Sequence, residues 1–280
     1  MKLTFLGTAA AEGIPAAFCN CDTCRRAKER GGKEIRTRSQ ILIDGDTLFD
    51  FPPDTYMHML RFKLDLSAVK RVLITHSHMD HCYPQEFCMR GEPFAHGLTE
   101  KSVKIYCNST VREIFAVDTA REMRESVARG IEIVTLKPYS EVKDGDVEIV
   151  ALPAKHTQGE ECLVYYVRRG GVGALLLNDT GVPDRSMFEW LKDRGCLVDI
   201  ATFDSTYGAV RRGAGSRHMG LFDVVDQIEL MHGLGLLNDG AKTVATHFSH
   251  NTDLDYAGIC AVAAPYNITV AYDGYTVEME

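Results

Sequence analysis

The feature that most constrains this chain is a run of metal-ligand side chains directly after a strand. Arg71–Thr75 is a short segment rich in Val, Ile and Leu, which predicts a buried β-strand. The next segment, His76–His81, reads His-Ser-His-Met-Asp-His and offers three imidazoles and one carboxylate within six residues. Side chains of these types bind Zn, Mn, Fe or Ni. An isolated His is usually not a ligand, but four candidates at this spacing predict a metal site that spans two neighbouring ions.

Further candidate ligands stand in the same context, at the ends of predicted strands. They are His156, Asp179 and His247, which end or follow the segments Val147–Pro153, Ala174–Asn178 and Thr243–Thr246. Each alone could serve only local hydrogen bonds. Together they predict that polar ligands gather at one edge of the sheets.

Many short β-rich segments recur along the chain, bounded by Gly, Asp or Pro, as expected of strands covered on both faces. Besides those already named, strands are predicted at Leu3–Gly7, Gln40–Asp44, Leu48–Phe51, Val103–Cys107, Ile131–Leu136, Leu163–Arg168, Val198–Phe203 and Ile268–Tyr272. Hairpin turns are predicted at Asp44–Asp46, Asp144–Asp146 and Asp273-Gly274. Helices are predicted at Thr110–Arg129, Arg185–Arg194 and Gly220–Leu234.

This alternation of strands and helices predicts an α/β protein, an αββα sandwich of two packed mixed β-sheets with helices on the outer faces. The length of 280 residues fits one large sandwich or two small domains. Each half of the chain contains several strands followed by helical segments, and we predict a single domain over residues 1–280.

Charge and cysteine usage restrict the partners and the compartment. A net charge of −8 argues against an electrostatic grip on nucleic acid, which depends on Lys and Arg neutralising phosphates. No apolar run approaches the roughly 20 residues that a membrane helix requires, and Met1–Gly7 lacks the pattern of a signal peptide. Nine cysteines, three of them clustered, fit metal binding in a reducing compartment better than a secreted disulfide framework. The sequence thus predicts a cytoplasmic protein without a membrane partner.

The cysteine cluster predicts a second, structural metal site. Cys19, Cys21 and Cys24 place three thiolates within six residues. A tetrahedral zinc site needs a fourth ligand. His250 is the best candidate, three residues after His247, because a turn after the strand could direct one imidazole to each site.

The motif of His76–His81, with a downstream His, Asp and His, resembles the metallo-β-lactamase superfamily, and the likeness runs from Phe5 to His247. The resemblance implies two metal-binding sets that share Asp179 as a bridging ligand. The first set is His76, His78 and His156, and the second is Asp80, His81 and His247. True β-lactamases of the superfamily carry Cys at the position of Asp179, so the resemblance disfavours lactam hydrolysis. It favours phosphodiesterases, ribonuclease Z or the thioester-cleaving glyoxalase II.

The cysteine cluster narrows the resemblance. Gly13–Cys24 is similar to the start of the phosphodiesterase of the phosphonate-degrading carbon–phosphorus lyase pathway, as are Asp179-Thr180 and Thr246–His250. That family holds a structural zinc with such cysteines and a His like His250, which implies a small zinc-binding loop at about residues 13–30. A pyrroloquinoline quinone biosynthesis protein of the same fold shares the cluster, but its group is usually less complete at the metal motif.

Two metal ions could hold a bridging hydroxide and polarise a phosphoryl oxygen, so the reaction would need no Ser or Cys nucleophile. The leaving alkoxide would then need a proton. We predict His218 as the donor, as in that family, with Asp204 orienting it. A surface histidine and a strand-end cap are the alternatives. The predicted catalytic residues are therefore His218, Asp204 and Asp80, the last also a metal ligand. Arg211, Arg212 and Arg217 either recognise phosphate or form a solvated basic loop.

We therefore expect a phosphodiesterase that acts on a small phosphate ester, with a cyclic ester favoured. Its cofactors would be two divalent ions, Zn or Mn with Fe or Ni as alternatives, and one structural zinc. The rivals are a nuclease like ribonuclease Z, a thioester hydrolase like glyoxalase II, and a non-catalytic protein that binds a ligand through its metals. The sequence disfavours nucleic acid as a partner and leaves a homodimer open.

Overall fold

The computed structural model describes all 280 residues and contains fourteen strands. The first sheet is built from β1 (Lys2–Gly7), β2 (Gln40–Ile43), β3 (Thr47–Phe49), β4 (Arg71–Leu73), β5 (Val103–Cys107), β6 (Ile131–Thr135) and β14 (Thr276–Glu278). The second is built from β7 (Glu141–Asp144), β8 (Val147–Pro153), β9 (Leu163–Arg169), β10 (Val172–Leu177), β11 (Val198–Asp204), β12 (Leu237–Thr246) and β13 (Ile268–Val270).

Both sheets are mixed, and each has an antiparallel and a parallel part. The spatial order is β14-β1-β2-β3-β4-β5-β6 in the first sheet and β13-β12-β11-β10-β9-β8-β7 in the second. Strands β3 to β6 run parallel, as do β10 to β13. The carboxyl ends of parallel strands meet at one edge of a sheet, so loops after them lie close together.

The core has three layers, because alternate side chains of a strand point to opposite faces. Between the sheets, Phe5, Tyr165 and Leu176 belong to one buried apolar cluster. Their neighbours Tyr166 and Leu177 face outward into a second cluster under the helices that cover the second sheet. A third cluster lies on the outer face of the first sheet. The αββα sandwich predicted from the sequence is confirmed.

Seven helices lie around the sheets, and they depart from the sequence prediction in number and extent. They are α1 (Asp22–Arg30), α2 (Thr55–Phe62), α3 (Ser109–Thr119), α4 (Glu125–Ala128), α5 (Arg185–Asp193), α6 (Leu221–Gly233) and α7 (Tyr256–Ala263). The single helix predicted over Thr110–Arg129 is wrong, because the segment between α3 and α4 breaks it. Helices α1, α2 and α7 were not predicted. None of the helices has the length and apolar character needed to cross a membrane.

One of the predicted hairpins is wrong, and two strands were not predicted. Asp273-Gly274 is not a hairpin, because β13 pairs with β12 in the second sheet and β14 pairs with β1 in the first. The segment therefore crosses between the sheets. The strands that the sequence did not indicate, β7 and β14, are short edge strands with exposed positions and weak apolar patterns.

Candidate metal centre and active site

Four strands deliver the predicted ligands to one end of the sandwich. The loop after β4 carries His76–His81, and the loop after β8 carries His156. Asp179 lies two residues after the end of β10, and His247 directly follows β12. These strands belong to both sheets, so the site lies where the ends of the two sheets meet. The structure brings all seven predicted ligands together.

The first group contains His76, His78, His156 and Asp179, whose ligand atoms all lie within 4.8 Å of one another. His78 Nδ1 lies 3.0 Å from His76 Nε2 and 3.1 Å from His156 Nε2. Asp179 Oδ2 lies 3.3 Å from His76 Nε2. This is the ligand set that the resemblance to the metallo-β-lactamase superfamily implied for one ion, completed by the shared carboxylate.

The second group contains Asp80, His81, His247 and the same Asp179. His81 Nε2 lies 3.0 Å from both Asp80 Oδ2 and Asp179 Oδ2. His247 Nε2 lies 3.7 Å from Asp179 Oδ2. Asp179 therefore stands between the two groups, where a bridging ligand has to be.

The chemistry of these groups fits divalent metal ions. The side chains of Asp80, His81, Asp179 and His247 are buried. The ligand atoms His81 Nε2, His247 Nε2 and Asp179 Oδ1 have polar neighbours at 3.0–3.7 Å but form no hydrogen bond of proper geometry. Leaving such atoms unpaired in the interior costs free energy unless a ligand compensates them. Imidazole nitrogen and carboxylate oxygen are donors for borderline divalent ions.

A layer of supporting residues holds the ligands in place, and the sequence analysis missed it. Asp50 Oδ2 lies 2.7 Å from His81 Nδ1, while Asp50 Oδ1 accepts a hydrogen bond of 2.9 Å from the Thr75 backbone N–H. Burial raises the pKa of Asp50, although His81 opposes the shift. A carboxylate behind a ligating imidazole sets its orientation. The available signal was the position of Asp50 directly after β3, the same strand-end context as the ligands.

Glu160 fixes the motif loop from the other side. It accepts hydrogen bonds from the Ser77 backbone N–H at 2.9 Å and the Ser77 hydroxyl at 2.7 Å. Asn108 Nδ2 donates to the same carboxylate at 2.8 Å. Nothing in the sequence pattern around Glu160 marks this contact, because its partners are distant along the chain.

Three of the residues that follow a strand end in the site adopt a left-handed backbone conformation. The φ angles are 63° at Asp50, 56° at Asp179 and 60° at His247. Non-glycine residues are uncommon in this region, although Asp, Asn and His enter it more readily than others. The backbone thus turns sharply where each side chain enters the site, and any substitution there has to respect this conformation.

His218 lies next to the shared ligand. Its Nδ1 is 3.0 Å from Asp204 Oδ2 and 3.0 Å from Asp179 Oδ1. Burial lowers the pKa of His218, but the two carboxylates outweigh it and raise the pKa to about 11. Asp204 is itself held by the backbone N–H of Thr206 at 2.9 Å. The predicted pairing of Asp204 with His218 is present in the structure.

These groups open into a pocket of about 340 Å³. Its lining comprises Ala10, Ala11, Glu12, His78, Asp80, His156, Asp179, Thr206, Tyr207, His218, His247, Ser249, Asn251 and Thr252. No arginine or lysine is among them. Arg211, Arg212 and Arg217 do not line the pocket, and phosphate recognition by them stays a prediction. Arg211 pairs with Asp226 at 2.8 Å, and the guanidinium of Arg212 stacks 4.4 Å from the ring centre of Tyr207.

The cysteine cluster forms a separate site. His250 Nδ1 lies 3.5 Å from Cys19 Sγ and 3.4 Å from Cys21 Sγ. Cys24 Sγ accepts a hydrogen bond from the Ala16 backbone N–H at 3.3 Å. The hydrogen bond with His250 lowers the pKa of Cys21 to about 6. The four side chains fit a tetrahedral zinc ion, and all nine cysteines of the chain are free of disulfides.

The remaining cysteines, together with His58 and His96, lie outside both ligand clusters. Cys82, Cys88, Cys107, Cys162 and Cys196 are buried, and only Cys260 is partly exposed. His58 is buried and bonded to Gln40 and Thr37, and His96 pairs with Glu92 at the surface.

The sandwich and the two adjoining ligand groups at its end define a metal-dependent hydrolase. The model of the Beta-lactamase superfamily domain matches residues 40–248, and the chain belongs to this family.

Individual relatives are more distant. Ribonuclease BN of Cronobacter sakazakii is 27% identical over 215 residues, which are 75% of this chain and 64% of that relative. The chain thus spans less than two thirds of that protein's length. A solved structure of a diphosphatase from the PhnP family is 22% identical, with a TM-score of 0.72 over 100% of this chain and 98% of the other. Zn(2+)-bound PqqB from Methylobacterium extorquens is 18% identical, with a TM-score of 0.73 over the full length of both chains. Such structural likenesses establish the fold.

Proposed function

We propose that this protein is a phosphodiesterase that uses two divalent metal ions to hydrolyse a small phosphate ester, cyclic or open. The observation that carries the proposal is the position of His218 against Asp179, the carboxylate shared by both ligand groups. Two ions bound there would supply an activated water and would polarise a phosphoryl oxygen. Zinc or manganese is the leading choice for the pair, iron or nickel the alternative, and the cysteine cluster with His250 would hold one structural zinc.

His218 has the environment of a general acid. Its Nδ1 faces the carboxylates of Asp204 and Asp179, which favour a protonated ring, and the opposite nitrogen, Nε2, can donate a proton to the leaving oxygen. Asp204 orients the ring, and the backbone N–H of Thr206 holds Asp204. An alkoxide is a poor leaving group and benefits from such a donor. A thiolate leaves readily without one, which favours an ester over the thioester of a glyoxalase II-like enzyme.

The alternative function is a ribonuclease, because the chain is similar to ribonuclease BN. The pocket lining argues against it. A nuclease of this family has to hold a polyanion beside its metals, and such binding depends on Lys and Arg. The pocket lining has neither, and the net charge of the chain is −8. We therefore favour a small-molecule substrate over nucleic acid. We also propose a cytoplasmic location, consistent with nine free cysteines; the single domain and the homodimer stay predictions.

The test is hydrolysis of bis(p-nitrophenyl) phosphate and of a ribose 2′,3′-cyclic phosphate by protein loaded with Zn or Mn. His76→Ala should abolish turnover of both substrates, since it removes a ligand. His218→Ala should spare the aryl ester, because p-nitrophenolate leaves without a proton. It should slow the cyclic ester by about 10²–10⁴-fold, the usual contribution of a general acid.

His96→Ala is the matched control, because His96 is exposed and lies outside the pocket. It should leave both rates unchanged. Absence of turnover of both esters, with two ions per site confirmed by metal analysis, would reject the phosphodiesterase. Thioester hydrolysis would then be tested next, followed by metal-dependent ligand binding without turnover.

A further inference from the structure

One part of the pocket lining outside the ligand groups is polar and carries one carboxylate. Glu12, Ser249, Asn251 and Thr252 form this part, which we call the Glu12 wall. The carboxylates that line the pocket are Glu12, Asp80 and Asp179, and no cationic side chain of Lys or Arg accompanies them. Asp80 and Asp179 belong to the ligand groups of the metal centre, whereas Glu12 belongs to neither group.

Glu12 is held in a defined position. Its Oε1 accepts a hydrogen bond from the Ser249 hydroxyl at 2.5 Å and lies 3.7 Å from His250 Nε2. Ser249 also accepts a hydrogen bond from Asn251 Nδ2 at 2.9 Å. The other carboxylate oxygen, Oε2, accepts no hydrogen bond within the protein, and the side chain is 30% exposed.

The position of Glu12 is tied to that of the metal ligands. Ala9 forms a β-bridge with Phe248, and the Ala10 backbone N–H donates to the Phe248 carbonyl at 2.9 Å. Phe248 directly follows the ligand His247. The loop that carries Glu12 is therefore joined to a strand end of the metal centre, and the distance between the carboxylate and a substrate on the metals is set by backbone contacts.

We infer that Glu12 is a specificity-determining residue that selects the part of the substrate beyond the reacting phosphate. Its free oxygen accepts a hydrogen bond from a hydroxyl there, and its charge rejects a second phosphate. The substrate class is then a phosphate ester whose alcohol portion bears hydroxyl groups and no further phosphate. This inference rests on the proposed phosphodiesterase activity and adds the substrate class.

The physical argument is the balance of charge in a confined space. A carboxylate with an unused oxygen is a strong acceptor, and hydrogen bonds to charged groups are stronger than neutral ones. A second phosphate beside Glu12 would bring like charges together with no Lys or Arg among the lining residues to compensate them, and such juxtaposition is costly.

The experiment compares three cyclic esters that share the reacting group. They are adenosine 2′,3′-cyclic phosphate, its 5′-phosphorylated counterpart and its 5′-deoxy counterpart. For metal-loaded wild-type protein, kcat/KM should be highest for the first, and we expect it to exceed that of the 5′-phosphorylated ester by roughly tenfold or more. Glu12→Gln should reduce the ratio of kcat/KM for the adenosine ester to kcat/KM for its 5′-phosphorylated counterpart by roughly tenfold. It should also reduce the ratio of kcat/KM for the adenosine ester to kcat/KM for its 5′-deoxy counterpart.

Glu12→Gln suits the test because the amide oxygen can still accept the bond from Ser249. Glu113→Gln is the matched control, since Glu113 is exposed on α3 and lies outside the pocket. It should keep the wild-type ratios. The zinc content of Glu12→Gln should equal that of wild-type protein, and a loss of zinc would assign Glu12 a structural role and overturn the inference.

Failure of the inference is separable from failure of the proposed function. Turnover of bis(p-nitrophenyl) phosphate by wild-type protein reports the activity itself, because this substrate has neither a hydroxyl nor a second phosphate. If that ester is hydrolysed while Glu12→Gln leaves the ratios among the adenosine esters unchanged, Glu12 does not determine specificity. If wild-type protein prefers the 5′-phosphorylated ester, the substrate class is wrong.

Discussion

The two ends of the β-sandwich treat buried charge differently. At the amino ends of β4 and β8 lies a set of paired charges that we call the arginine edge, formed by Arg71, Arg169, Asp46, Asp144 and Lys104. Arg71 donates to Asp144 at 2.6 Å, Arg169 lies 2.9 Å from Asp46, and Lys104 donates to Asp144 at 2.7 Å. At the metal centre, on the opposite ends of these strands, Lys and Arg are absent from the pocket lining.

The pKa values of the carboxylates at the arginine edge show this compensation. Burial raises the pKa of Asp46 and Asp144, but their cationic neighbours outweigh it and lower both. The pKa of Asp179 is also held well below its ordinary value, but by the imidazoles of His247, His218 and His81 rather than by Lys or Arg. At the arginine edge the protein's own Lys and Arg neutralise the carboxylates, and the ion pairs join the first sheet to the second. At the metal centre the carboxylates and imidazoles would be compensated by bound metal ions. A functional site is expected to be less stable without its ligand, because its groups are arranged for binding.

The largest effect that separates the two ends should come from metal binding. Adding Zn or Mn at a free concentration 100 times the dissociation constant should raise the free energy of unfolding by about 2.7 kcal/mol for each ion bound. His76→Ala should lose the increment of the ion held by its own ligand group, while Arg169→Met should keep the increments of both ions. Chemical unfolding with and without metal measures both. An equal increment in His76→Ala and wild-type protein would show that the predicted ligands do not bind the metal.

The next effect should fall on stability alone. Arg169 bonds or pairs with Asp44, Asp46 and Asp146, and its side chain is 16% exposed. Arg169→Met should therefore lower the free energy of unfolding by about 3 kcal/mol, because it leaves partly buried carboxylates uncompensated. The kcat/KM of the metal-loaded enzyme should not change.

Arg168→Met is the matched control for this variant. Arg168 precedes Arg169 on β9 but pairs only with Glu148, and both partners are more than a third exposed. Loss of this pair should cost about 1 kcal/mol or less. Equal losses in the two variants would contradict the distinct role assigned to the arginine edge.

The smallest effect concerns the support of a ligand. Asp50→Asn keeps the size of the side chain and tolerates the φ of 63°, but it weakens the orientation of His81. Metal affinity or activity should fall by about 10–100-fold, as for other outer-shell partners. Titration with a competing chelator measures the affinity. Unchanged affinity and activity would show that His81 is held without Asp50.

The strand-end ligands show how far local pattern reaches. A Val/Ile/Leu-rich segment that ends in His or Asp can be recognised from neighbouring residues alone. The strands that precede His76–His81, Asp179 and His247 were predicted in this way. Helices α1, α2 and α7 were not readable in this way. They are short, with eight or nine residues each, and α1 starts within the cysteine cluster. The break between α3 and α4 was missed because no Pro or Gly marks it.

The sequence by itself determined the fold class, the seven candidate ligands and the cysteine cluster, because each rests on residue types at short spacing or on a resemblance carried by such motifs. Only the tertiary structure decided which distant groups meet. It placed Asp50 behind His81, Glu160 under Ser77 and Glu12 in the pocket, and it left Arg211 and Arg212 outside. These contacts join residues far apart along the chain, and packing of the two sheets, not local pattern, sets the distances between them.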